Sequence, residues 1–508
     1  MKKDGIPMRS GKSKLSARPV RGFRVRRREF LQVAGGATAA VLWGGGIARA
    51  AADHPNIVWI VAEDMSRHFG FQGNTLVNTP HVDQLAAEGT SFASAYVTAP
   101  VCSPSRSALI TGMYQTTIGA HNHRSSRSPK VLIHLPDPVR PLPGLFREAG
   151  YWVGNVSWPD GGPGKTDYNF VCSESLYDGT DYTRRAPGQP FFMQFQLRGG
   201  KFREARVPHP VDPDTVALPP YYPDDPVLRE DWARYLNSVI QVDIEVGQIL
   251  EKLRTDGALE HTVVFFLTDH GISHARGKQF LYEEGTRVPF VVWGPGRVPR
   301  GEIRRNLVAH IDMAATSLAL AGIPVPSWME ARPLFGPDVH PRDYVVSARD
   351  RCDETVDRIR SLRDGRYTYI RNGYPGRPHL QPNAYKDAKD ILVRLRELHD
   401  TGKLAGHPAE RLFAVPRPVE ELYDRETDPW ELCNLAEDPA HRDRLAAMRS
   451  LLDRWISETG DKGQAPESEA AYDAEMEVYL EQVSGMPAYA AQVRQNIARM
   501  KEWARAGV

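Results

Sequence analysis

A cysteine followed one helical turn later by an arginine is the group in this sequence best suited to nucleophilic chemistry. Residues 102–106 read C-S-P-S-R, and the stretch that follows ends at Gly112. Pro104 suits the first turn of a helix and Gly112 suits a helix end, so we predict a short helix with Cys102 just ahead of its N-terminus. Free N–H groups and the helix dipole favour an anion there, and Arg106 can reach back toward it. A structural cysteine ahead of a capped helix is the alternative interpretation.

Two pairs of polar residues stand where apolar runs end. Glu63 and Asp64 end the first run, and Asp269 and His270 end another much later in the chain. Parallel strands bring such ends to one edge of a sheet, and several carboxylates there suit a hard cation such as Ca²⁺. The nitrogen of His270 is a softer ligand than a carboxylate oxygen. The pattern therefore indicates the position of a metal site more firmly than which metal binds there. Solvated residues that cap the two strands are the alternative.

Strands alternate with helical patterns along most of the chain, which predicts an α/β fold with a doubly wound, mostly parallel sheet. Continuous apolar runs, typical of strands buried on both faces, predict strands at 56–62, 152–156, 191–197, 262–267 and 288–293. Periodic patterns predict helices at 82–88, 142–149, 231–253 and 311–321. In such a fold the functional site lies at the carboxyl ends of the strands.

A proline-rich stretch at residues 323–342 marks the predicted boundary between two domains. We expect one domain at residues 53–340 and a smaller C-terminal α+β domain at residues 341–508. The second contains a predicted strand at 367–371 and predicted helices at 442–458 and 489–506.

The N-terminal residues predict an export signal. Residues 27–32 read R-R-E-F-L-Q, which resembles the twin-arginine signal, and a glycine-rich apolar run and a small-residue cleavage site follow. We predict that residues 1–52 are a twin-arginine signal peptide, that the twin-arginine translocase is a partner, and that the mature protein is periplasmic or secreted. The apolar run is too short for a stable membrane span. A basic tail followed by a lipid anchor is the alternative.

The charge balance argues against one class of partner. The whole chain has a net charge of +1, but its first 50 residues hold twelve Lys and Arg and only two acidic residues. The remaining 52 basic and 61 acidic residues give about −9, so we expect no nucleic acid to bind through general charge. A positive field for an anionic substrate must therefore be local to a cleft. Four cysteines in 508 residues also exclude a disulfide scaffold.

The C-S-P-S-R segment with its downstream T-G resembles the signature of the type I, formylglycine-dependent sulfatases of the alkaline phosphatase superfamily. Residues 79–86 and 421–435 are similar to two other characteristic stretches of that family, and the resemblance extends over residues 56–458. It implies an alkaline-phosphatase-like fold and conversion of Cys102 to formylglycine by a formylglycine-generating enzyme. It also implies a divalent metal ion, for which we expect Ca²⁺.

The resemblance implies roles for the site residues as well. The hydrated formylglycine attacks sulfur, the alcohol or amine leaves, and the sulfated intermediate then expels sulfate. Arg106 and Lys165 are expected to position the diol and Lys278 to bind the sulfate, because fixed cations stabilise its negative oxygens. The expected metal ligands are Glu63, Asp64, Asp269 and His270. The family usually has Asp where this chain has Glu63.

Two departures from the family pattern leave the proton chemistry open. Asp167 stands where many sulfatases have a histidine that assists the diol, although a subset of the family carries K-T-D-Y-N as this chain does. After the strand at 191–197, related sulfatases often have a histidine near the scissile oxygen. Here the chain has Lys201, and the nearest histidine is His209. Either residue replaces that histidine or both are loop residues; we favour His209 because its pKa range suits proton donation.

A loop after the nucleophile helix offers groups for an anionic sugar. His121, His123 and Arg124 lie in it. With His209, they either line the substrate pocket or belong to solvated polar loops.

The sequence as a whole predicts a sulfuric ester hydrolase. Several segments resemble bacterial sulfatases near the heparan N-sulfatase branch, which indicates a sulfated polysaccharide as the substrate. Two rival functions stay open: a phosphodiester or phosphonate hydrolase of the same superfamily, and a catalytically silent sulfoglycan-binding protein. The missing histidines favour the silent protein, whereas the intact motif at Cys102 argues against it.

Overall fold

The apolar runs of the sequence form most of a seven-stranded sheet. The computed structural model describes residues 54–172, 175–337 and 339–508. The strands of this sheet are β1 (Asn56–Ala62), β2 (Thr90–Tyr96), β3 (Trp152–Ser157), β4 (Phe191–Leu197), β5 (Thr262–Thr268), β6 (Phe290–Trp293) and β7 (Glu302–Ala309). Every residue of β1, β4 and β5 is buried, which explains why these strands are so apolar.

The strand directions place several carboxyl ends at one edge of this sheet. The spatial order is β3-β4-β1-β5-β6-β2-β7. Strands β3, β4, β1 and β5 are parallel, and β2 is parallel to β7. Strand β6 runs antiparallel to both of its neighbours, β5 and β2. The predicted mostly parallel sheet is therefore confirmed, and β1, β2, β4 and β5 all end at the same edge.

Helices cover both faces of the sheet. They are α1 (Pro80–Glu88), α2 (Cys102–Thr111), α3 (Leu142–Glu148), α4 (Pro226–Thr255), α5 (Glu283–Thr286) and α6 (Asp312–Leu320). Ile57, Trp59 and Val61 of β1 belong to the core formed with α2, α3 and α6. Val58 and Ile60 belong to the core formed with α1 and α4. Because successive residues of β1 enter opposite cores, the sheet is doubly wound as predicted.

A smaller antiparallel sheet follows in the chain. Its strands are β8 (Val345–Arg349), β9 (Ile359–Arg363), β10 (Tyr367–Asn372) and β11 (Glu420–Asp424), in the spatial order β11-β10-β9-β8. The helices of this part are α7 (Ala384–Asp387), α8 (Asp390–Asp400), α9 (Arg442–Thr459), α10 (Glu469–Gln482) and α11 (Pro487–Arg505). The smaller C-terminal α+β part is confirmed, whereas the boundary at residue 340 stays a prediction.

Sequence patterns missed β2 and β7. Strand β2 mixes small and polar residues with aromatic ones, and the first half of β7 is partly exposed at the edge of the sheet. Neither strand therefore offers a continuous apolar run. The predicted signal peptide, residues 1–52, lies outside the described residues. No helix within the described residues combines the length and apolar character that a membrane span requires.

We expect the free energy of unfolding to depend strongly on Phe192 in β4. Its ring is fully buried. The centroid of the ring lies 4.5 Å from that of the Phe146 ring and 5.1 Å from that of the Trp59 ring. Phe192→Ala should lower the free energy of unfolding by about 3–5 kcal/mol in urea titrations, because it leaves a cavity between sheet and helix. Ile303→Ala, at a residue that is 64% exposed, is the control and should cost about 0.5 kcal/mol or less. Similar losses in the two variants would contradict this packing.

Candidate active site

The candidate site forms where β1 and β5 end side by side. These strands pair in parallel with Ala62 opposite Thr268, so Asp64 and Asp269 emerge next to each other. The backbone N–H of Asp64 donates to Oδ1 of Asp269 at 3.0 Å. Asp64 has a left-handed backbone with a φ of 52°, which Asp adopts more readily than most residues. The parallel register thus brings together two carboxylates that are far apart in the sequence.

Helix α2 carries Cys102 to the same edge. The helix begins at Cys102 itself rather than just after it, a small correction to the sequence prediction. The Sγ atom of Cys102 is buried and lies 3.2 Å from Nε2 of His270 and 3.7 Å from Oδ1 of Asp64. The hydroxyl of Ser105 donates to the backbone carbonyl of Asp269 and fixes the first turn of α2 against β5. Cys102 therefore lies at the junction of the strand ends.

Four buried side chains place candidate metal ligands within 4.8 Å of one another. They are Asp64, Cys102, Asp269 and His270. Burial alone would raise the pKa of Asp64, but Lys278 and neighbouring cations hold it well below its usual value, so this carboxylate is ionised. Two carboxylates and an imidazole at adjacent strand ends are a donor set that fits a divalent cation.

Glu63 departs from the predicted ligand set. Its carboxylate is not part of the group of converging ligand atoms. It pairs instead with Lys201, with Lys165 at 3.1 Å and with Arg106 at 3.4 Å. Burial alone would raise its pKa, but these three cations hold the pKa below its usual value. Glu63 thus balances charge at the site, and its direct ligation of a metal stays a prediction.

Lysine side chains surround the thiol of Cys102. The Nζ atom of Lys278 lies 3.1 Å from Sγ, and that of Lys201 lies 3.7 Å from it. Burial alone would raise the pKa of the thiol, but Lys165, Lys201 and Lys278 hold it well below its usual value. The field at position 102 therefore stabilises negative charge. Hydrogen-bonding groups at these distances would suit hydroxyl groups in place of the thiol.

A glycine pair explains how Lys201 reaches Glu63. A Cβ atom on Gly199 would lie 2.1 Å from the carbonyl oxygen of Glu63, and one on Gly200 would lie 2.3 Å from that of Asp64. Gly199 also has a φ of 56°, a conformation that favours glycine. The turn after β4 packs on the end of β1 only because it lacks side chains there. The R-G-G-K segment therefore delivers Lys201 into the site.

Arg106, one turn into α2, forms hydrogen bonds to residues at or just after the ends of β4 and β5. Its Nε atom donates to Oδ2 of Asp269 at 3.0 Å, and its NH1 atom donates to Oε1 of Gln196 in β4 at 2.7 Å. Sequence analysis did not single out Gln196, which is one of the few polar residues in that apolar strand. A buried polar residue one position before the end of a predicted strand was the available signal.

His123 forms a buried pair with a residue of the C-terminal half. Its Nδ1 atom lies 3.2 Å from Oδ1 of Asp353. A ring nitrogen of His123, Sγ of Cys102 and a carboxylate oxygen of Asp167 also lie within 4.8 Å of one another. Burial alone would lower the pKa of His123, but Asp353 raises it well above its usual value. The structure thus places a protonated imidazole beside the candidate nucleophile.

The other predicted sugar-binding residues have different surroundings. Arg124 lies at the opening with its side chain 43% exposed and its Nε atom 3.2 Å from Asp353. His121 has a buried Nδ1 atom without a hydrogen bond, and burial, with Arg360, lowers its pKa to about 4. His209 is exposed in the loop after Lys201. Within the described residues, neither His121 nor His209 contacts the group around Cys102, and their predicted roles in binding substrate stay predictions.

Tyr385 completes the site from α7. Its hydroxyl donates to Oδ2 of Asp64 at 3.3 Å, and the two residues are 321 positions apart. No local sequence pattern marks such a contact, because it depends on how the two halves of the chain pack.

The site has a buried floor and a partly exposed cationic opening. Asp64, Asp269 and His270 have no exposed surface. Around them, the side chains of Lys165 and Lys201 are 28% and 30% exposed to solvent. The chain after residue 50 has more acidic than basic residues, and these lysines supply local positive charge at the opening, as expected for an anionic substrate.

Comparison with known proteins identifies the family. A sequence model of the sulfatase family matches residues 55–323. The chain is 32% identical over 467 residues to an ulvan-active sulfatase of Formosa agariphila, which covers 82% of this chain and 77% of that protein. It is 28% identical over 469 residues to the N-sulphoglucosamine sulphohydrolase of Homo sapiens, over 80% of this chain and 90% of that protein.

Solved structures share the fold. A 2-O GAG sulfatase gives a TM-score of 0.60 at 23% identity, over 82% of this chain and 96% of the other. That likeness concerns the fold alone, and the assignment depends on the family model and the sequence relatives. The chain that carries Cys102 between the ends of β1 and β5 therefore belongs to the sulfatase family and is a sulfuric ester hydrolase.

Proposed function

We propose that this sulfatase removes sulfate from a sulfated polysaccharide, with formylglycine formed from Cys102 and a divalent metal ion, Ca²⁺, in the site. One observation carries the proposal: the buried side chain of Cys102 lies within 3.7 Å of Lys278, Lys201, His270 and Asp64. This arrangement supports a nucleophile at position 102, with cations for the transferred group and acidic ligands for a metal.

Formylglycine and the metal ion would supply two kinds of chemistry. Formylglycine at position 102 would supply, as its hydrate, one hydroxyl to attack sulfur and a second hydroxyl on the same carbon to expel sulfate afterwards, which a serine or cysteine lacks. A divalent cation held by Asp64, Asp269 and His270 would supply Lewis-acid activation. The protein itself holds these groups in place: Arg106 fixes Asp269, and Tyr385 and Lys278 fix Asp64.

The lysines bind the sulfate group. Lys278 and Lys201 lie closest to position 102, and Lys165 adds to the field there. Their ammonium groups stabilise the negative oxygens of the sulfuryl group as the bond to the sugar breaks. Burial alone would lower the pKa of Lys201, but the anions around it hold the pKa well above its usual value. Lys201 is therefore a fixed charge rather than a proton donor.

His123 is the group that we assign to proton transfer at position 102. Asp353 orients its ring and keeps it protonated, as the raised pKa of His123 indicates. A ring nitrogen within 4.8 Å of Cys102 is close enough to exchange a proton with a hydroxyl group at that position through a small rearrangement or one water. His209, which we considered for the proton of the leaving group, is exposed in the loop after Lys201, so we favour His123 for the step at position 102.

A polyanionic sugar is the substrate class that the opening favours. Lys165, Lys201 and Arg124 are partly exposed cations around a single buried centre. Electrostatic attraction of this kind concentrates an anionic polymer at the cleft of an otherwise acidic protein. The names of the ulvan-active sulfatase and the N-sulphoglucosamine sulphohydrolase describe enzymes that act on sulfated sugars. This supports a sulfated sugar as the substrate class here.

Maturation and export complete the proposal. The R-R-E-F-L-Q segment supports export by the twin-arginine translocase to the periplasm or beyond. The C-S-P-S-R segment supports a formylglycine-generating enzyme as a second partner. Because the twin-arginine route carries folded proteins, modification at position 102 precedes export in this scheme.

We expect the protein to carry an aldehyde at position 102 when it is produced with a formylglycine-generating enzyme. Peptide mass spectrometry would detect the aldehyde, and Cys102→Ala should abolish hydrolysis of an aryl sulfate. The fold should survive, because one small side chain in the first helical turn contributes little to the free energy of unfolding. Cys433→Ala, at an exposed free cysteine, is the matched control and should keep full activity. Unmodified thiol together with full activity would contradict the mechanism.

We expect Asp269 to be necessary for metal binding. Chelation should remove activity from the wild type, and added Ca²⁺ should restore it. Asp269→Ala should lower metal affinity by more than the roughly 10–100-fold that follows loss of an outer partner of a ligand. Metal content and calorimetric titration measure this, and Asp160→Ala, at an exposed carboxylate, is the control. Undiminished metal content in Asp269→Ala would refute the site.

We expect His123, and not His209, to be necessary for turnover. His123→Gln should lower kcat by about 100-fold or more, the usual size of a general acid–base contribution. Asp353→Asn should reproduce part of that loss, because the ring loses its charged partner. His209→Gln is the control at an exposed histidine and should have little effect. Equal losses in the two histidine variants, at unchanged thermal stability, would contradict the assignment.

A further inference from the structure

One aromatic ring lies close to both the sulfate-binding lysine and a second lysine that our mechanism does not use. The ring is that of Tyr385 in α7, whose hydroxyl contacts Asp64. Its centroid lies 4.8 Å from Nζ of Lys278 and 4.6 Å from Nζ of Lys389. Lys389 lies between α7 and α8, and it is therefore held close to the floor of the site.

Lys389 has no close ion-pair partner in the part of the chain that the structure describes. Within the described residues, no hydrogen bond or ion pair shorter than 4 Å involves its ammonium group. The nearby carboxylates are engaged elsewhere: Asp387 pairs with Arg396 at 2.7 Å, and Asp390 lies 3.6 Å from Arg234. Burial and Arg203 lower the pKa of Lys389 to about 8. A half-buried ammonium group without a partner is costly for the folded protein, and it gains from binding an anion.

Arg203 adds a second positive charge on this side. Its Nη2 atom lies 2.9 Å from Nε2 of His274, and its Nη1 atom is buried and has no hydrogen bond to any residue that the structure describes. The carboxylate of Asp231 lies 3.7 Å from Arg203, but it accepts a closer contact, 2.7 Å, from His274. Asp231 is therefore already engaged by His274 and lies too far from Arg203 for a hydrogen bond to its guanidinium group.

We propose that Lys389, Arg203 and Tyr385 form a subsite for a second anionic group of the substrate, a sulfate or a carboxylate next to the scissile sulfate. The proposal rests on the proposed function and sharpens it, because it makes the enzyme selective for sugars with two adjacent anions. The ammonium group of Lys278 pairs with Asp64, whereas that of Lys389 forms no such ion pair within the described residues and gains one when such a substrate binds. A charge-assisted hydrogen bond from Lys389 then distinguishes doubly from singly charged sugars.

Binding without turnover tests the subsite. In the Cys102→Ala background, calorimetry would measure the affinity for three oligosaccharides of one backbone: singly sulfated, doubly sulfated, and sulfated with a neighbouring uronate. Lys389→Met should weaken the binding of the doubly charged ligands by about 10- to 100-fold, the range for a hydrogen bond to a charged group. The singly sulfated ligand should be affected much less. Lys389→Arg should retain the preference, and Lys403→Met, at an exposed lysine, is the control.

The outcomes separate this inference from the proposed function. A preference that survives in Lys389→Met, or an equal loss for all three ligands with a lower Tm, overturns the subsite. Loss confined to the doubly sulfated ligand, or confined to the uronate, supports the subsite and identifies the second anion. Turnover of an aryl sulfate by the wild type is measured in parallel. Its failure would reject the hydrolytic mechanism while the binding comparison still decides the subsite.

Discussion

The burial of several charges at one edge of a sheet is the constraint on which the rest of this structure depends. Asp64 and Asp269 have no exposed surface, and an unpaired ion in such a place costs several kcal/mol. A cation therefore pairs with each carboxylate, Lys278 with Asp64 and Arg106 with Asp269. The first turn of α2 and the loop after β5 are positioned to deliver these two side chains.

The cations exceed what the carboxylates require. Lys165 and Lys201 both pair with Glu63, which also receives Arg106. The site therefore carries an excess of positive charge around the thiol of Cys102, and a bound sulfate group completes the balance. Substrate binding and charge compensation are one process here, which explains how a protein with a net charge of only +1 attracts an anion to one point on its surface.

The sequence predicted the parts of the site that depend on local pattern. Cys102 and Arg106 belong to the sequence pattern of a short helix, and Asp64 and Asp269 follow buried strands. Helical and strand geometry were therefore enough to predict where they lie. The sequence could not predict contacts made by packing of the C-terminal half. Tyr385 and Asp353 come from segments far along the chain, without a pattern of their own. His209 was favoured over Lys201 because a histidine suits proton donation better than a lysine, but no sequence pattern could show that the Gly199–Gly200 turn brings Lys201 into the site.

The left-handed backbone at Asp64 limits what evolution or a designer can place there. A left-handed conformation costs an ordinary residue roughly 1–2 kcal/mol, and only glycine, asparagine and aspartate adopt it routinely. Glycine offers no ligand and asparagine offers no negative charge. The conformational and the chemical demands therefore have one common solution among the twenty amino acids. Position 64 is thus a point in this fold that tolerates few substitutions, whatever sugar the rest of the cleft is adapted to recognise.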